Sequence, residues 1–504
     1  MPDIVEVIGD GVEIILQGGT NVVEVLTDVV AGGVLQTTAD LRYLRSGLLV
    51  VGDLCNSIGI NGTLSYYNSS QGAIGLGAIS YFAYALPKTK GRFRYGGNAG
   101  HVGWTSTQII TDYLPTAMAS NWDYVHLQVM TNDIGAGFTF AQTQANVIYM
   151  VTQLLSVGKT PILCTMPPLG PATGFNTGAG LTLLTKLNLW VKRYAEAMHL
   201  PCVDYHTVCV NPSNNAWLAG YANADDIHPV SLGAQAMGNA LAEVLNAIPG
   251  FKQNPLIGAY NPNMMLPDAV ITSALSDKWT SAGPTTGGWA FKAVTSSAFF
   301  KGTSWVVTRG TGGDYQLFGP IASGLWVAGH RVRVACAFDA SNVPASGTWS
   351  VYLYNVTQLQ AICGYTAIPY TMTNKSVTVT DGTTTSGSKV ISSPSAPFRP
   401  THVGCTVSSA VGVTAGIAAG TTIVGVSMDG TQAQMSANAS ATASGTAVIT
   451  VSGEPCIMVF EFDVQADMVG DDIRLAVNIG GAAGCTVGVA QATVQDITAL
   501  GIAV

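Results

Sequence analysis

Asp225 and His228 stand three residues apart in the segment DDIHP, so one turn of chain can bring the carboxylate to the imidazole. A carboxylate so placed fixes the tautomer of the histidine and stabilises its protonated form, which makes the pair the orienter and base of a nucleophilic reaction. Three more polar segments interrupt apolar runs upstream: Gly52-Asp53 in LLVVGDLCNSIGI, NAGHVGWTS at 98–106, and MTND at 130–133. Each follows or ends a short apolar stretch of the kind buried as a parallel strand. An open parallel sheet forms its site outside the carboxyl ends of its strands, so the four segments are expected in one crevice.

The elements that must position them alternate between residues 47 and 249. Strands are expected at 48–52, 92–97, 123–130, 160–166 and 201–205. Between and after them, LTLLTKLNLWVKRYAEAM places Leu183, Leu187, Trp190, Tyr194 and Ala197 on one helical face, and SLGAQAMGNALAEVL follows the DDIHP loop. This alternation predicts a doubly wound α/β domain. Upstream, residues 1–46 hold the β-branched runs IVEVIG, VEIILQ and NVVEVLTDVV, with too little beside them to build a core; a docking or trimerising β stalk is expected. Downstream, 250–266 reads as a Pro/Asn-rich linker, and short strands such as HRVRVACAFDA and CIMVFEFDVQ predict an all-β sandwich over 267–375 and 454–504. Residues 376–453 fall to almost pure Thr, Ser, Gly, Ala and Val, as expected of a small β module inserted into a sandwich loop.

At 504 residues the chain exceeds what one core holds, which predicts several domains. The net charge of -8, with no basic cluster longer than KTKGRFR, argues against a nucleic-acid partner. No window of about 18 apolar residues occurs, and MPDIVEVIGDG lacks the regions of a secretory signal, so a soluble chain made in the cytoplasm is expected. The nine cysteines form no C-x-x-C pair; neither a metal site nor a disulfide framework is expected, and the thiols read as small hydrophobes.

The ordered set Gly52-Asp53, NAGHVG, TND and DxxHP, with TMPPLG after the fourth strand, resembles the SGNH (GDSL-like) hydrolase superfamily. The resemblance implies a flavodoxin-like three-layer α/β/α domain and cofactor-free hydrolysis of esters through serine and histidine. Carried over, the backbone N–H of Gly103 and the side-chain amide of Asn132 would stabilise the oxyanion, with Asp225 as orienter and His228 as base. Two positions depart from the pattern: Met130 stands where the family has glycine, and Leu54 where its GDS motif has serine. Three readings of the nucleophile follow. Ser57 lies one helical turn beyond Leu54, with Cα atoms about 5 to 6 Å apart if the segment coils; the Cys55 thiol could be activated near a histidine; or there is no nucleophile. His101, His126, His199 and His206 match no motif and are expected to be structural. Trp305, Tyr315, Phe318, Trp326, Trp349, Tyr352 and Tyr354 of the sandwich are expected in its core, or, if exposed, as a stacking surface for sugar rings.

As a whole the chain resembles a minor tail or tail-fibre protein of a bacteriophage, VEVIG and VVEVLT being similar to N-terminal segments of tail proteins from phages of actinobacteria. That resemblance implies a place in the virion tail, attachment to other tail proteins through the N-terminus, and contact with a host cell-surface glycan or lipid; the unpartnered N-terminal strands add the expectation of a homotrimer. Two functions are open: an esterase acting on acylated envelope glycans or lipids, or an adhesin whose inactive hydrolase fold displays loops.

Overall fold

The computed structural model describes residues 49–55, 75–101, 103–248 and, in segments, 280–499. All belong to one compact unit, Leu44–Val504. The expected N-terminal stalk, the linker at 250–266 and Ser57 lie outside the described residues.

In chain order the first part comprises β1 (Leu49–Cys55), β2 (Gly75–Leu76), α1 (Tyr81–Ala85), β3 (Phe93–Asn98), α2 (Ser106–Asp112), α3 (Leu114–Ala119), β4 (Tyr124–Gln128), α4 (Thr131–Gly135) and α5 (Phe140–Ser156). It continues with β5 (Thr160–Cys164), α6 (Gly178–Ala197), β6 (Cys202–Val203), α7 (Tyr205–Cys209), the β7–β8 hairpin (Val210–Asn211 and Ala216–Trp217) and α8 (Ser231–Ala247). Five strands pair in parallel in the order β3-β1-β4-β5-β6, so β1 lies between β3 and β4 and the strand order reverses there. In open α/β sheets such a reversal is where ligands bind, outside the carboxyl ends of the strands.

Because strand side chains alternate in direction, the sheet feeds two apolar clusters. Val51, Phe93, Ile162 and Val203 pack with α1, α7 and α8. Val50, Val125, Leu127 and Leu163 pack with α2, α3, α5 and α6. Gly52 is required by packing in the second cluster, since a Cβ there would stand 1.9 Å from Cδ2 of the Trp122 indole. α6 buries Leu184, Leu187, Val191 and Ala195, and Leu183, Trp190 and Tyr194 of the expected face pack half-buried against the same cluster. Ala197 is exposed, while the Trp190 and Tyr194 rings stack on each other at 5.2 Å along the flank, with Phe140 edge-on to Trp190.

Two antiparallel sheets follow. One is β10 (Trp289–Ala293), β11 (Thr303–Thr308), β24 (Thr486–Asp496), β13 (Arg331–Asn342) and β22 (Cys456–Asp463), in that order. The other runs β2, β15 (Gln360–Ile368), β14 (Thr348–Asn355), β23 (Ile473–Gly480), β12 (Asp314–Ile321) and β9 (Thr280–Ser281). Phe338, Trp349 and Tyr365 meet between them with ring centroids 5.0 to 6.2 Å apart. Trp326 and Trp349 are therefore core residues, and Tyr352 is buried beside Tyr354 on the other side of β14. The side chains of Trp305, Tyr315 and Phe318 lie outside the described residues. Between β15 and β22 a third antiparallel sheet contains β16 (Val377–Thr384), β17 (Val390–Ser392), β18 (Thr406–Ser409), β19 (Ile423–Val426), β20 (Gln432–Met435) and β21 (Ala443–Thr450), with its own small core around Ile391, Phe398 and Met435.

The parallel-sheet part and the two facing sheets share one core. The first apolar cluster runs without a break from α1 and α8 to Phe338, Trp349 and Phe460. β2, from the α/β part, is the edge strand of a sandwich sheet, parallel to β15 through Gly75↔Gly364 and Leu76↔Tyr365. Buried Glu461 of β22 accepts from Arg94 of β3 at 3.0 Å and from Arg333 and Arg331 of β13 at 2.6 and 3.2 Å. Burial pushes the Glu461 carboxyl up, but the three guanidinium groups outweigh it and hold the acid below its ordinary range.

Among the described residues no helix is long and apolar enough to cross a membrane, and no group of three or more His, Cys, Asp or Glu side chains could hold a metal ion.

Candidate active site

β1 does not end at Gly52-Asp53. It continues through Asp53, Leu54 and Cys55, which pair across the sheet with His126, Leu127 and Gln128. The Gly-Asp pair is thus inside the sheet, and Leu54 is a fully buried strand residue in the second apolar cluster, with Met130 in the same cluster. The strand expected at 48–52 thus runs on to Cys55. Ser57 is two residues beyond the last strand residue and lies outside the described residues. Cys55 is fully buried at the strand end, 3.5 Å from Asn98 Nδ2.

Asp53 belongs to a polar layer that no sequence motif announced. Its carboxylate accepts from Tyr81 at 3.0 Å and Asn98 at 3.3 Å and lies 2.9 Å from His126 Nδ1; the Tyr205 hydroxyl is 3.0 Å from the other imidazole nitrogen. Asp53, His126, Tyr81 and Tyr205 are all excluded from solvent. Burial, then the Asp53 carboxylate, push the Tyr81 phenol well above its ordinary value, which keeps it a donor. Only the cross-strand register, unreadable in sequence, brings residues 53 and 126 together.

Beyond β3 the chain stays against β1, Ala99 N–H donating to Asp53 O at 2.8 Å and His101 N–H to Cys55 O at 3.2 Å. The loop then turns at Gly103, whose φ of +82° is left-handed while a Cβ there would meet nothing, so backbone conformation rather than space calls for glycine. Asn132, in the first turn of α4, donates from Nδ2 to Trp104 O at 3.0 Å and ties this loop to the end of β4. Asp133 accepts from the Ser106 backbone at 2.7 Å and from Thr143 at 2.8 Å, which fixes the same loop from its other end. Burial nevertheless raises the Asp133 pKa.

The DxxHP loop is built as its spacing suggests. Asp225 Oδ2 lies 2.7 Å from His228 Nδ1, and Oδ1 accepts the backbone N–H groups of Ile227 and His228 at 2.8 and 2.9 Å. Burial raises this carboxyl, but its hydrogen bonds to His228 and Ile227 prevail and bring it down to about 2. An ionised carboxylate only accepts, so Nδ1 carries the proton and Nε2 is the basic nitrogen. Neighbouring Asp226, at φ 57°, accepts through its carbonyl from Gly170 N–H at 3.0 Å and Trp217 Nε1 at 3.1 Å. A Cβ on Gly170 would stand 2.3 Å from Asp226 Cγ, which explains the glycine that closes TMPPLG. This contact seats the loop on the segment after β5, at the sheet edge where α4 also begins.

The structure therefore joins Asp225 to His228, and Asn132 to the backbone beside Gly103. Of the other histidines, His126 is in the buried layer, His101 stacks on Trp104 at 4.3 Å, His199 is exposed at φ 54°, and burial lowers the pKa of His206.

Residues 70–236 match the GDSL-like Lipase/Acylhydrolase family, a span that contains Gly103, Asn132, Asp225 and His228 and begins after Ser57. No curated protein matches the chain. Among solved structures it is similar to an acetyl-xylooligosaccharide esterase of Geobacillus, at 18% identity over 41% of this chain and 97% of the other, TM-score 0.33. It is also similar to a member of the lipolytic G-D-S-L family from Veillonella parvula, at 15% identity, 40% and 98% coverage and TM-score 0.31. The psychrotrophic esterase EstA from a Pseudoalteromonas species matches at 12% identity, 38% and 93% coverage and TM-score 0.29.

Proposed function

We propose that the GDSL-like acylhydrolase domain of this chain hydrolyses esters of acylated cell-envelope glycans or lipids. The observation that carries the reading is the Asp225–His228 pair, with its proton fixed on Nδ1 and Nε2 left as the base. In this reading Ser57 is the nucleophile. His228 takes the hydroxyl proton as Oγ bonds to the ester carbon, and the Gly103 N–H and Asn132 amide stabilise the oxyanion. The protonated imidazole gives its proton to the departing alcohol, and water then cleaves the acyl-serine by the same route in reverse order. The strand order and the two apolar clusters support a flavodoxin-like layering that puts these groups at one edge. The extent of β1 supports Ser57, the first hydroxyl beyond the strand, over buried Cys55. A fluorophosphonate probe followed by peptide mapping is expected to label Ser57; an unlabelled, folded protein would count against the reading.

A second reading keeps the fold without the chemistry: an adhesin that displays the loops of an inactive hydrolase. The family match favours it in one respect, because it begins at residue 70 and leaves the nucleophile segment out. In either reading the chain is a phage tail protein, attached to other tail proteins and trimeric through the β-branched runs of residues 4–35. Deleting residues 1–46 is expected to convert trimers to monomers in sedimentation; an unchanged oligomeric state would discard the stalk.

A further inference from the structure

Gln128 is the last residue of β4 and is 2% exposed. Neither its Nε2 nor its Oε1 has a hydrogen-bond partner among the described residues. Thr131 Oγ1, three residues on and adjacent to Asn132, is buried and unpartnered as well. A buried carboxamide that makes none of its hydrogen bonds destabilises the fold, so a donor and an acceptor left open together need a physical reason.

Position supplies one. Gln128 is directly across the sheet from Cys55, at the carboxyl edge of β1 and β4. Alternation from His126, which faces Tyr81 of α1 and Tyr205 of α7, puts Gln128 on the face covered by α1 and α8. The loop that enters α8 carries His228. The open carboxamide and the loop of the base thus both lie at the carboxyl edge of the sheet.

We infer that Gln128 sets the acyl specificity of the site by hydrogen-bonding a hydroxyl or amide on the acyl group. The inference rests on the ester-hydrolase reading and narrows its substrate to hydroxyacyl or amidoacyl esters. A hydroxyl donates to Oε1 and accepts from Nε2, completing both halves of the carboxamide, with the Thr131 hydroxyl close in sequence as a further partner. A hydrocarbon of equal length completes neither, and sites built around buried polar groups reject analogues that leave those groups unpaired.

The test compares kcat/KM of the full chain for the p-nitrophenyl esters of 3-hydroxybutyrate and butyrate, in the wild type and in Gln128→Met. The wild type is expected to favour the hydroxyacyl ester by about 10- to 100-fold, and the ratio to fall to within about twofold in Q128M. The Tm of the variant should be equal or higher, because an unpartnered amide has been removed. A wild-type ratio near one, which needs no variant to measure, overturns the inference, as does a preference that survives in Q128M. Calorimetric binding of the two free acids separates this from the parent reading. A Gln128-dependent preference for 3-hydroxybutyrate without turnover of any ester upholds the site and discards ester hydrolysis; turnover without preference does the reverse. Absence of both discards both.

Discussion

Replacing His228 with alanine is expected to lower hydrolysis of a short activated ester by about 10³-fold or more, and Ser57→Ala to lower it to the same floor. The two act as one unit: without Nε2 the hydroxyl keeps its proton, and without the hydroxyl the base has nothing to deprotonate. The double variant should therefore lose nothing further. Asp225 adds a pH signature. Held at about 2 by its bonds to His228 and Ile227, it stays ionised throughout the range where an imidazole titrates. The acid limb of the rate should accordingly follow a single proton, and Asp225→Asn should slow the reaction without adding a second limb. If the wild type turns over acetyl, butyryl and longer esters no faster than His228→Ala, the domain is a scaffold and the adhesin reading stands.

The second large effect is on stability. Glu461→Ala is expected to destabilise the protein by about 3 to 5 kcal/mol in denaturant unfolding, since it removes the counter-charge that the buried Arg94 and Arg333 share, while Arg331 keeps Asp463 at 3.1 Å. Arg94 shows the strain already: burial lowers its pKa to about 10, and Glu461 is the largest influence holding it up. Because the carboxyl lies below its ordinary value of 4.5 in the folded protein, its contribution is complete above that pH and fades as pH falls through the folded-state value. The cluster joins β3 to β13 and β22, so probes in the α/β part and the sandwich should report one shifted transition. A loss below about 1 kcal/mol, the range of surface pairs, would show that the cluster does not hold the parts together.

Much of the α/β pattern was legible because buried parallel strands are short apolar runs and amphipathic helices repeat at 3.6 residues. The Asp225–His228 contact was legible because three residues of separation nearly dictate it. What misled was polarity inside the sheet. Asp53 reads as a strand end, yet it is buried because His126, Tyr81 and Asn98 satisfy it while Tyr205 holds the far nitrogen of His126, and these residues come from four other segments. On α6 the expected face holds at Leu187 and, half-buried, at Leu183, Trp190 and Tyr194, while the fully buried positions extend it to Leu184, Val191 and Ala195 and leave Ala197 exposed. Arg94 lies in the expected strand at 92–97, and nothing local announces a carboxylate in β22. Gln128 gave no signal, since an absent hydrogen bond has no sequence pattern.

The pairing of β2 with β15 has a consequence for synthesis. Residues 75–76 leave the ribosome early, but their sheet partner, residues 364–365, emerges only after almost three hundred more residues, and β22 and β23 later still. Domains that close on themselves can fold as they emerge, whereas this α/β part must wait with an edge and an arginine unmatched until the C-terminal strands arrive. Prematurely terminated chains would carry Asp225 and His228 but lack the sheet and the carboxylate that complete their support. Competence of the site is thereby tied to completion of the chain.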